Sequence, residues 1–432
     1  SWWRTDRNEK IVAFEQSIYM HIVQYKFDQP VPLIDYPYAV TRVGELSLRS
    51  SDPDTIASGM AFFAAHASVS GLPRFGRAMT RLGTKYFNEM TDTEKRGICL
   101  YGSAVSRSVG NLKALEQADR DFIISIPLLI ESGSHMQASA SIHMRRHLHE
   151  YFGGARPEQK LGSQLIDHAR KIGDLRGQCW GHYDLAAGLA RAGKISEAMI
   201  EIRKAGVILE STELHLTAGI FLAQQAFIFL QASDFEGARL SALQGWRLVK
   251  KRKLVMEWPL KSLPLVIESA VGPLWLGSPF AVDVNDLKRK CRIAWLLTLF
   301  YPKLRSIMHR VRGRALWAIG RRNKALVEFE KAVSIEKIKT RFDHAKSLLD
   351  LAAVKEEGRE QNRSEAIALL KKMESVIPRA ESWLLGDQYD EAVVAPEFDL
   401  DAWEKEHGPI TPYLNEEEAT IGLDTMKTES GM

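Results

Sequence analysis

Cysteine is scarce in this chain of 432 residues. Cys99, Cys179 and Cys291 are odd in number and far apart, which excludes a disulfide scaffold and fits a reducing, cytoplasmic setting. Long apolar runs are missing too. The best of them, IAWLLTLFY at 293–301, stops at Pro302 and Lys303, short of the ~18 residues a membrane-spanning helix needs. No membrane partner is expected. β-branched alternation is almost absent, so nothing reads as a sheet. There is no GxxxxGK[ST] phosphate loop; Gly193-Lys194 is followed by Ile195 and lacks the spacing. There is no nucleophile elbow, no GxGxxG and no pair of carboxylates in a recognisable setting. This chain is therefore expected to be no enzyme and to use no cofactor.

Charge of one sign does not dominate. Lys and Arg number 58, Asp and Glu 54, and the net charge of +4 argues against nucleic acid as a partner. The charge is uneven, however. From Glu397 to Met432 there are ten acidic and two basic residues, which leaves the remainder at +12. An acidic, mostly disordered tail is expected over 391–432, beginning near Ala395-Pro396. The chain starts Ser1-Trp2-Trp3 without Met, and residues 1–50 are expected to form a helical segment continuing from an upstream domain.

What the chain does contain is a repeat. RALWAIGRRNKALVEFEKAV (314–333) has helix-forming residues on both sides of a Gly-Arg-Arg-Asn break. It places Gly320, Ala325, Phe329 and Ala332 at successive offsets of five, four and three. GHYDLAAGLARAGKISEAMIEIRKA (181–205) places Gly193, Ala198, Ile202 and Ala205 at the same offsets. Ala238, Ala242 and Gly245 fall in this frame, as do Ala366, Leu370 and Met373. Weaker copies carry Gly162, Ile166 and Ala169, and Gly76, Thr80 and Gly83. Anchors at 76, 162, 198, 238, 325 and 366 give a period of about 40, with one degenerate copy in each of the two long gaps. That is long for a tetratricopeptide unit of 34 residues.

Each unit reads as two antiparallel helices. A glycine ends helix A in a left-handed cap, and a small residue on helix B allows a close crossing of the preceding helix A. Pairs that cannot bury their apolar faces alone stack into a solenoid. The expected fold is all-α, a right-handed α-solenoid of tetratricopeptide-like helix pairs over 51–390. The Pro- and Gly-broken stretches 262–282 and 376–386 are expected to be irregular.

WGHYDLAAGLARAGKISEA (180–198), preceded by GDLRGQ (173–178), resembles one repeat from the C-terminal helical region of large signalling ATPases of the STAND type. The corner Phe300-Tyr301-Pro302 adds to the resemblance. Gly313 follows it by eleven residues and Gly320 by seven more. Members of that family commonly begin with an adenylate/guanylate cyclase or a protein kinase domain. The resemblance implies a sensor or scaffold region that binds a protein, peptide or small effector and regulates a catalytic module upstream. The module itself would lie before Ser1, because its phosphate loop and metal-binding aspartates are not in this chain. The alternatives are the regulatory half of a cyclase or kinase polypeptide, and a free-standing adaptor. The implied partner is a protein, a peptide or the parent's own ATPase or catalytic module.

Two clusters carry chemistry of their own. In IHMRRHLHEYF (142–152), His143 and His147 share a helical face at i,i+4 and are weak metal candidates, while His149 and Glu150 are expected to point elsewhere. The bland reading, a polar face between helices, is preferred. KRKCR (288–292) and HRVRGR (309–314) form a basic region, and His309, Arg312 and Arg314 are expected to line a groove for an acidic peptide or nucleotide. KKRK (250–253) is expected at the end of a helix B, where lysines complement the helix dipole. Cys179 reads as a structural thiol, and Asn362-Arg363-Ser364 as a chance glycosylation sequon.

Overall fold

A computed structural model describes residues 9–26, 35–110, 114–152, 154–212, 214–254, 256–277, 283–297, 299–336, 341–408 and 410. The helices are α1 (Glu9–Lys26), α2 (Asp35–Arg49), α3 (Pro53–Val69), α4 (Pro73–Thr84), α5 (Thr93–Gly110), α6 (Leu115–Glu131), α7 (His135–Phe152), α8 (Ala155–Ile172), α9 (Leu175–Arg191) and α10 (Ile195–Glu210). They continue with α11 (His215–Gln231), α12 (Phe235–Arg252), the single turn α13 (Glu257–Leu260), α14 (Ser262–Trp275), α15 (Val284–Leu297), α16 (Arg305–Ala318), α17 (Arg322–Glu336), α18 (Arg341–Val354), α19 (Arg359–Lys372) and α20 (Leu400–His407). Among the described residues there is no strand, only an isolated bridge between Ile377 and Val394. Consecutive helices pack in pairs, and the pairs stack into an all-α helical-repeat array.

The local chemistry of a pair is clearest in α9–α10. Asp174 caps α9 by accepting from the Gly177 amide, so the aspartate satisfies an orphan donor of the first turn. Gly193 ends α9 at φ +80°, and its amide and that of Lys194 reach back to Ala190 and Leu189. Gly320 ends α16 in the same way at φ +78°. In the α11–α12 pair a serine, Ser233, takes the left-handed position at φ +64°, where a side chain is more strained. One turn into the following helix lie Ala198, Ala238 and Ala325, and two turns into α19 lies Ala366, all fully buried. Ile202, Ala205, Phe329 and Ala332 are fully buried on the same faces. Each of the two long gaps in the repeat holds one helix pair, α5–α6 and α14–α15.

The small anchors do not all face the same neighbour. A Cβ on Gly313 would lie 2.6 Å from the Phe329 ring, so this glycine of α16 makes room for the aromatic side chain of α17. A Cβ on Gly162 would meet the backbone of Leu185 in the following helix α9, rather than the preceding α7. A Cβ on Gly245 would meet Ser262 Oγ and Leu222. α11 sits at the centre. It is mostly apolar and every residue from Leu216 to Ala226 is buried, as in a helix enclosed by others.

Two stretches differ from expectation. Residues 262–275 form a regular helix despite two prolines: Pro264 lies in the first turn, where its missing amide would have no intrahelical partner, and Pro273 removes only one hydrogen bond near the end of the helix. Residues 278–282 of that stretch lie outside the described residues. The acidic end does not start as a disordered tail. Residues 373–410 fold back as a strap, mostly 3₁₀ and extended, across three successive hairpin turns. Met373 accepts from the Ala155 amide, Val376 donates to the Arg191 carbonyl (2.8 Å) and Ala380 donates to Ser233 Oγ. Trp403 of α20 is buried and donates to Ser196 Oγ at 3.1 Å, and Arg203 holds the His407 carbonyl. Residues 411–432 and 1–8 lie outside the described residues. The array coils far enough for α18 to pack against α7.

Candidate functional site

The inner face of the coil is built by α7, α9, α11, α14, α16 and α18, the first helix of each pair. Spacing of i,i+4 puts two charges of one helix on one face: Arg310 and Arg314, or Lys346 and Asp350. These faces meet in two buried ionic networks.

In the first network, Arg146 Nη2 lies 2.8 Å from Glu158 Oε2, and Arg191 Nε lies 3.2 Å from Glu158 Oε1. Lys261 donates to Glu150 at 2.7 Å, and Lys303 lies 2.9 Å from Glu257. Tyr151 donates to Glu257 at 3.0 Å, with both lysines over its ring. Burial pushes the Glu150 carboxyl up, but Lys261, Arg146 and Arg191 overrule it and hold it well below the usual range.

In the second network, Arg310 makes a two-pronged pair with Glu268 at 2.9 and 2.8 Å. Arg314 makes one with Asp350 at 2.7 Å on each prong, and a third bond to Glu381 of the strap at 2.5 Å. Lys346 donates to Glu268 at 2.9 Å. Burial acts to raise the Glu268 pKa, yet Arg310, Lys346 and Arg314 keep it well below the carboxylate range. Burial prevails at Asp350 and Glu158, whose pKa values are raised.

Between the networks lies a cavity of about 60 Å³. Arg191 projects beside it between the rings of Phe227 (5.0 Å) and Phe342 (4.8 Å), held by cation–π attraction on both faces. Gln224, Phe227 and Gln231 line it from α11 at spacings of three and four. Gln231 is only 2% exposed, and neither atom of its side-chain amide has a hydrogen-bond partner. Such a group costs roughly 1–3 kcal/mol left unpaired. Asp343 stands on the opposite wall with its pKa raised by burial.

The histidine cluster is fully inside the protein. His143 Nδ1 lies 2.7 Å from Asp184 Oδ2, and its Nε2 lies 3.2 Å from His147 Nε2. His147 Nδ1 is 3.4 Å from both Arg146 Nη1 and Glu150 Oε2. Glu150 therefore does not point elsewhere: it lies one turn on from His147, on the same buried face. Trp180 stacks on His143 and Trp258 on His147. His143, His147 and Asp184 each offer a ligand atom within 4.8 Å of the others, so these three can hold a metal ion. One tautomer assignment also satisfies the rings without an ion. The chain runs Arg146 to His147 to His143 to Asp184, each donor facing an acceptor. His147 is held well below its usual pKa by burial and by His143, in keeping with a neutral ring.

The expected basic groove divides in two. His309 Nδ1 lies 2.7 Å from Glu328 and Arg312 Nε 3.8 Å from the same carboxylate, on the outer side of α16. Arg314 is buried in the inner network. Two residues along a helix is a rotation of about 200°, so Arg312 and Arg314 face opposite ways. KKRK ends α12, and Lys253 takes the left-handed cap position at φ +53°. Cys179 is fully buried and donates to the Ala205 carbonyl. The inner network was missed in the sequence because no single motif spells it. The signal that was there is charge at i,i+4 on helices that otherwise bury that face.

Fold and inner face together define an all-α array of tetratricopeptide-like helix pairs. No family model matches the chain, and no curated protein matches it. Among solved structures, the chain is similar to a Rap protein complexed with competence and sporulation factor, with a TM-score of 0.61 at 10% identity. The match covers 85% of this chain and 99% of that one. At this identity the likeness is one of fold. No helix among the described residues is long and apolar enough to cross a membrane.

Proposed function

We propose that the chain is a non-catalytic interaction protein that takes an extended peptide segment of a partner into its inner groove. The observation that carries this is Gln231, a buried amide with neither atom bonded, facing a cavity beside Phe227 and Phe342. A side-chain amide can bond both the N–H and the C=O of a passing backbone. The cavity is too small for a peptide as it stands. The structure is thus the closed form, and entry requires α18 and the strap to move outward. That motion takes Asp350 and Glu381 away from Arg314, and an acidic side chain on the entering segment restores the pairing.

The fold shared with a Rap protein complexed with competence and sporulation factor supports an interaction role. The sequence resemblance supports a wider setting, in which the array senses an effector in the cytoplasm and regulates an ATPase, cyclase or kinase module of a larger polypeptide. The repeat anchors Ala198, Ala238, Ala325 and Ala366 are, in this reading, scaffold and not contact residues.

The test is selection of peptides from a display library on the purified chain, followed by titration. Selected peptides are expected to be enriched in Asp or Glu. Gln231→Leu is expected to weaken them about tenfold, the equivalent of one or two net hydrogen bonds. Peptides that bind the wild type and the variant equally would refute the groove as the site.

A further inference from the structure

A second recess lies on the opposite side of α16, and it does not depend on the groove reading. It is an open cleft of about 550 Å³ between α15, α16 and α17, within the size range of small-molecule sites. Its walls bring together Lys288 and Arg292 of α15, Arg312 of α16, Arg321 of the turn and Lys331 of α17. These residues are scattered over 44 positions of sequence, and the α15–α17 packing gathers them. Among the described residues that line the cleft, one carboxylate, Glu328, faces them. It is already held by His309 at 2.7 Å, with Lys331 at 3.4 Å and Arg312 at 3.8 Å. Lys288, Arg292 and Arg321 make no ion pair among the described residues. The lining therefore carries a net charge near +4 with His309 neutral.

The floor is apolar, made by Leu287, Ala315 and Ile319, and the indole of Trp295 stands at the wall, 42% exposed. A cleft with several cations along one wall and a flat ring on another suits a ligand of matching form. We infer that it binds a small organic polyphosphate bearing a planar ring, the nucleoside triphosphate class, with the phosphates among the cations and the ring against Trp295. Arginines can grip phosphate oxygens two at a time, and lysines add compact charge. No side chain of the cleft is placed to read one base edge against another, so little preference among bases is expected.

Isothermal titration of the full chain at low salt tests this with ATP, GTP, inorganic tripolyphosphate and a synthetic peptide of residues 411–432. ATP and GTP are expected to bind with affinities within about threefold of each other, and tripolyphosphate more weakly. The affinity should fall as salt rises, as screened contacts do. Lys288→Glu with Arg292→Glu, both on exposed positions, should weaken all three phosphates by at least about tenfold, given the charge reversal. Trp295→Ala should weaken the nucleotides by about tenfold and leave tripolyphosphate unchanged, since stacking of a base contributes about 1–3 kcal/mol. Circular dichroism of each variant checks that the helices remain. Absence of nucleotide binding at millimolar ligand overturns the inference, and so does binding indifferent to the double reversal. If the acidic peptide binds in its place and is lost on the double reversal, the cleft seats the chain's own end, and the inference also fails.

Discussion

Gly162 of α8 and Gly206 of α10 are both helical glycines, yet replacing each with alanine should have opposite effects. A Cβ at 162 would lie 2.6 Å from the Leu185 amide nitrogen and 2.8 Å from its Cα. Ordinary contacts begin near 3.4 Å, so α8 and α9 must part by most of an ångström. The obstacle is helix backbone, which no rotamer change can relieve. Overpacking of this kind costs about 1–3 kcal/mol, and here the upper part of that range applies. Removing glycine from a helix interior returns about 0.8–1.0 kcal/mol. The net for Gly162→Ala is a loss of about 2 kcal/mol. At 206 the added Cβ would sit 3.5 Å from the Phe221 ring, an ordinary contact, so only the propensity gain of roughly 0.5–1 kcal/mol remains. Urea midpoints should therefore move in opposite directions, about 3 kcal/mol apart at unchanged m. Repeat arrays can lose two-state behaviour, so fluorescence and circular dichroism transitions must coincide before the midpoints are compared. If both variants shift the same way by similar amounts, the close approach of α8 to α9 is wrong.

Three further outcomes follow from the buried charges and the anchors. Arg314→Met removes the nearest cation of Asp350 and Glu381, leaving Arg310 and Lys346 at 3.7 Å, and should cost roughly 3 kcal/mol, while a triple change of all three to apolar residues should recover most of it, both read by denaturant unfolding. His66, beside Tyr36, is lowered by burial to about 3 from 6.5; the unfolded chain takes up a proton below pH 6.5 while the folded chain does not, so stability is lost as pH falls, and His66→Gln should remove about 1.4 kcal/mol per pH unit of that slope between pH 6 and 4. Ala325 is fully buried and its neighbour Lys324 is exposed; Ala325→Leu should cost about 1–3 kcal/mol and Lys324→Leu within about 0.5, and equal midpoints would refute the repeat frame.

The period of small residues was enough to read the fold, because close helix crossings leave a mark at fixed spacing. Gly320 and Phe329 are legible for that reason: one needs a left-handed backbone, the other a space that Gly313 leaves. The α14 helix was not legible. Pro264 reads as a break unless the helix start is known, since a proline is tolerated in a first turn, and Pro273 sits inside the helix against its own preference. The strap was hidden by its charge. Acidic composition over 397–432 predicts disorder, but Trp403 and Ile410 anchor its start on α10 and neighbouring helices through two apolar contacts that a charge count does not weigh. The inner networks were hidden for a different reason. Arg146, Glu158, Asp184 and Arg191 lie on three helices, and which charges face one another depends on how the coil closes.

The run HRVRGR shows how one helix can serve two sites. Its cations read as a single basic patch, yet α16 turns Arg310 and Arg314 inward and Arg312 outward. Gly313 between them has no side chain, so Phe329 of α17 seats directly on the α16 backbone and fixes where Glu328 presents itself to His309 and Arg312. The inner network and the outer cleft thus share a rigid element one helix diameter thick. Moving α18 and the strap away from Arg314 unloads one side of that element, while a polyanion drawn against Arg312 loads the other. Whatever free energy couples the two events is reciprocal. If groove and cleft bind as proposed, a ligand in the cleft alters effector affinity in the groove by the same factor by which the effector alters the affinity of the cleft for its ligand.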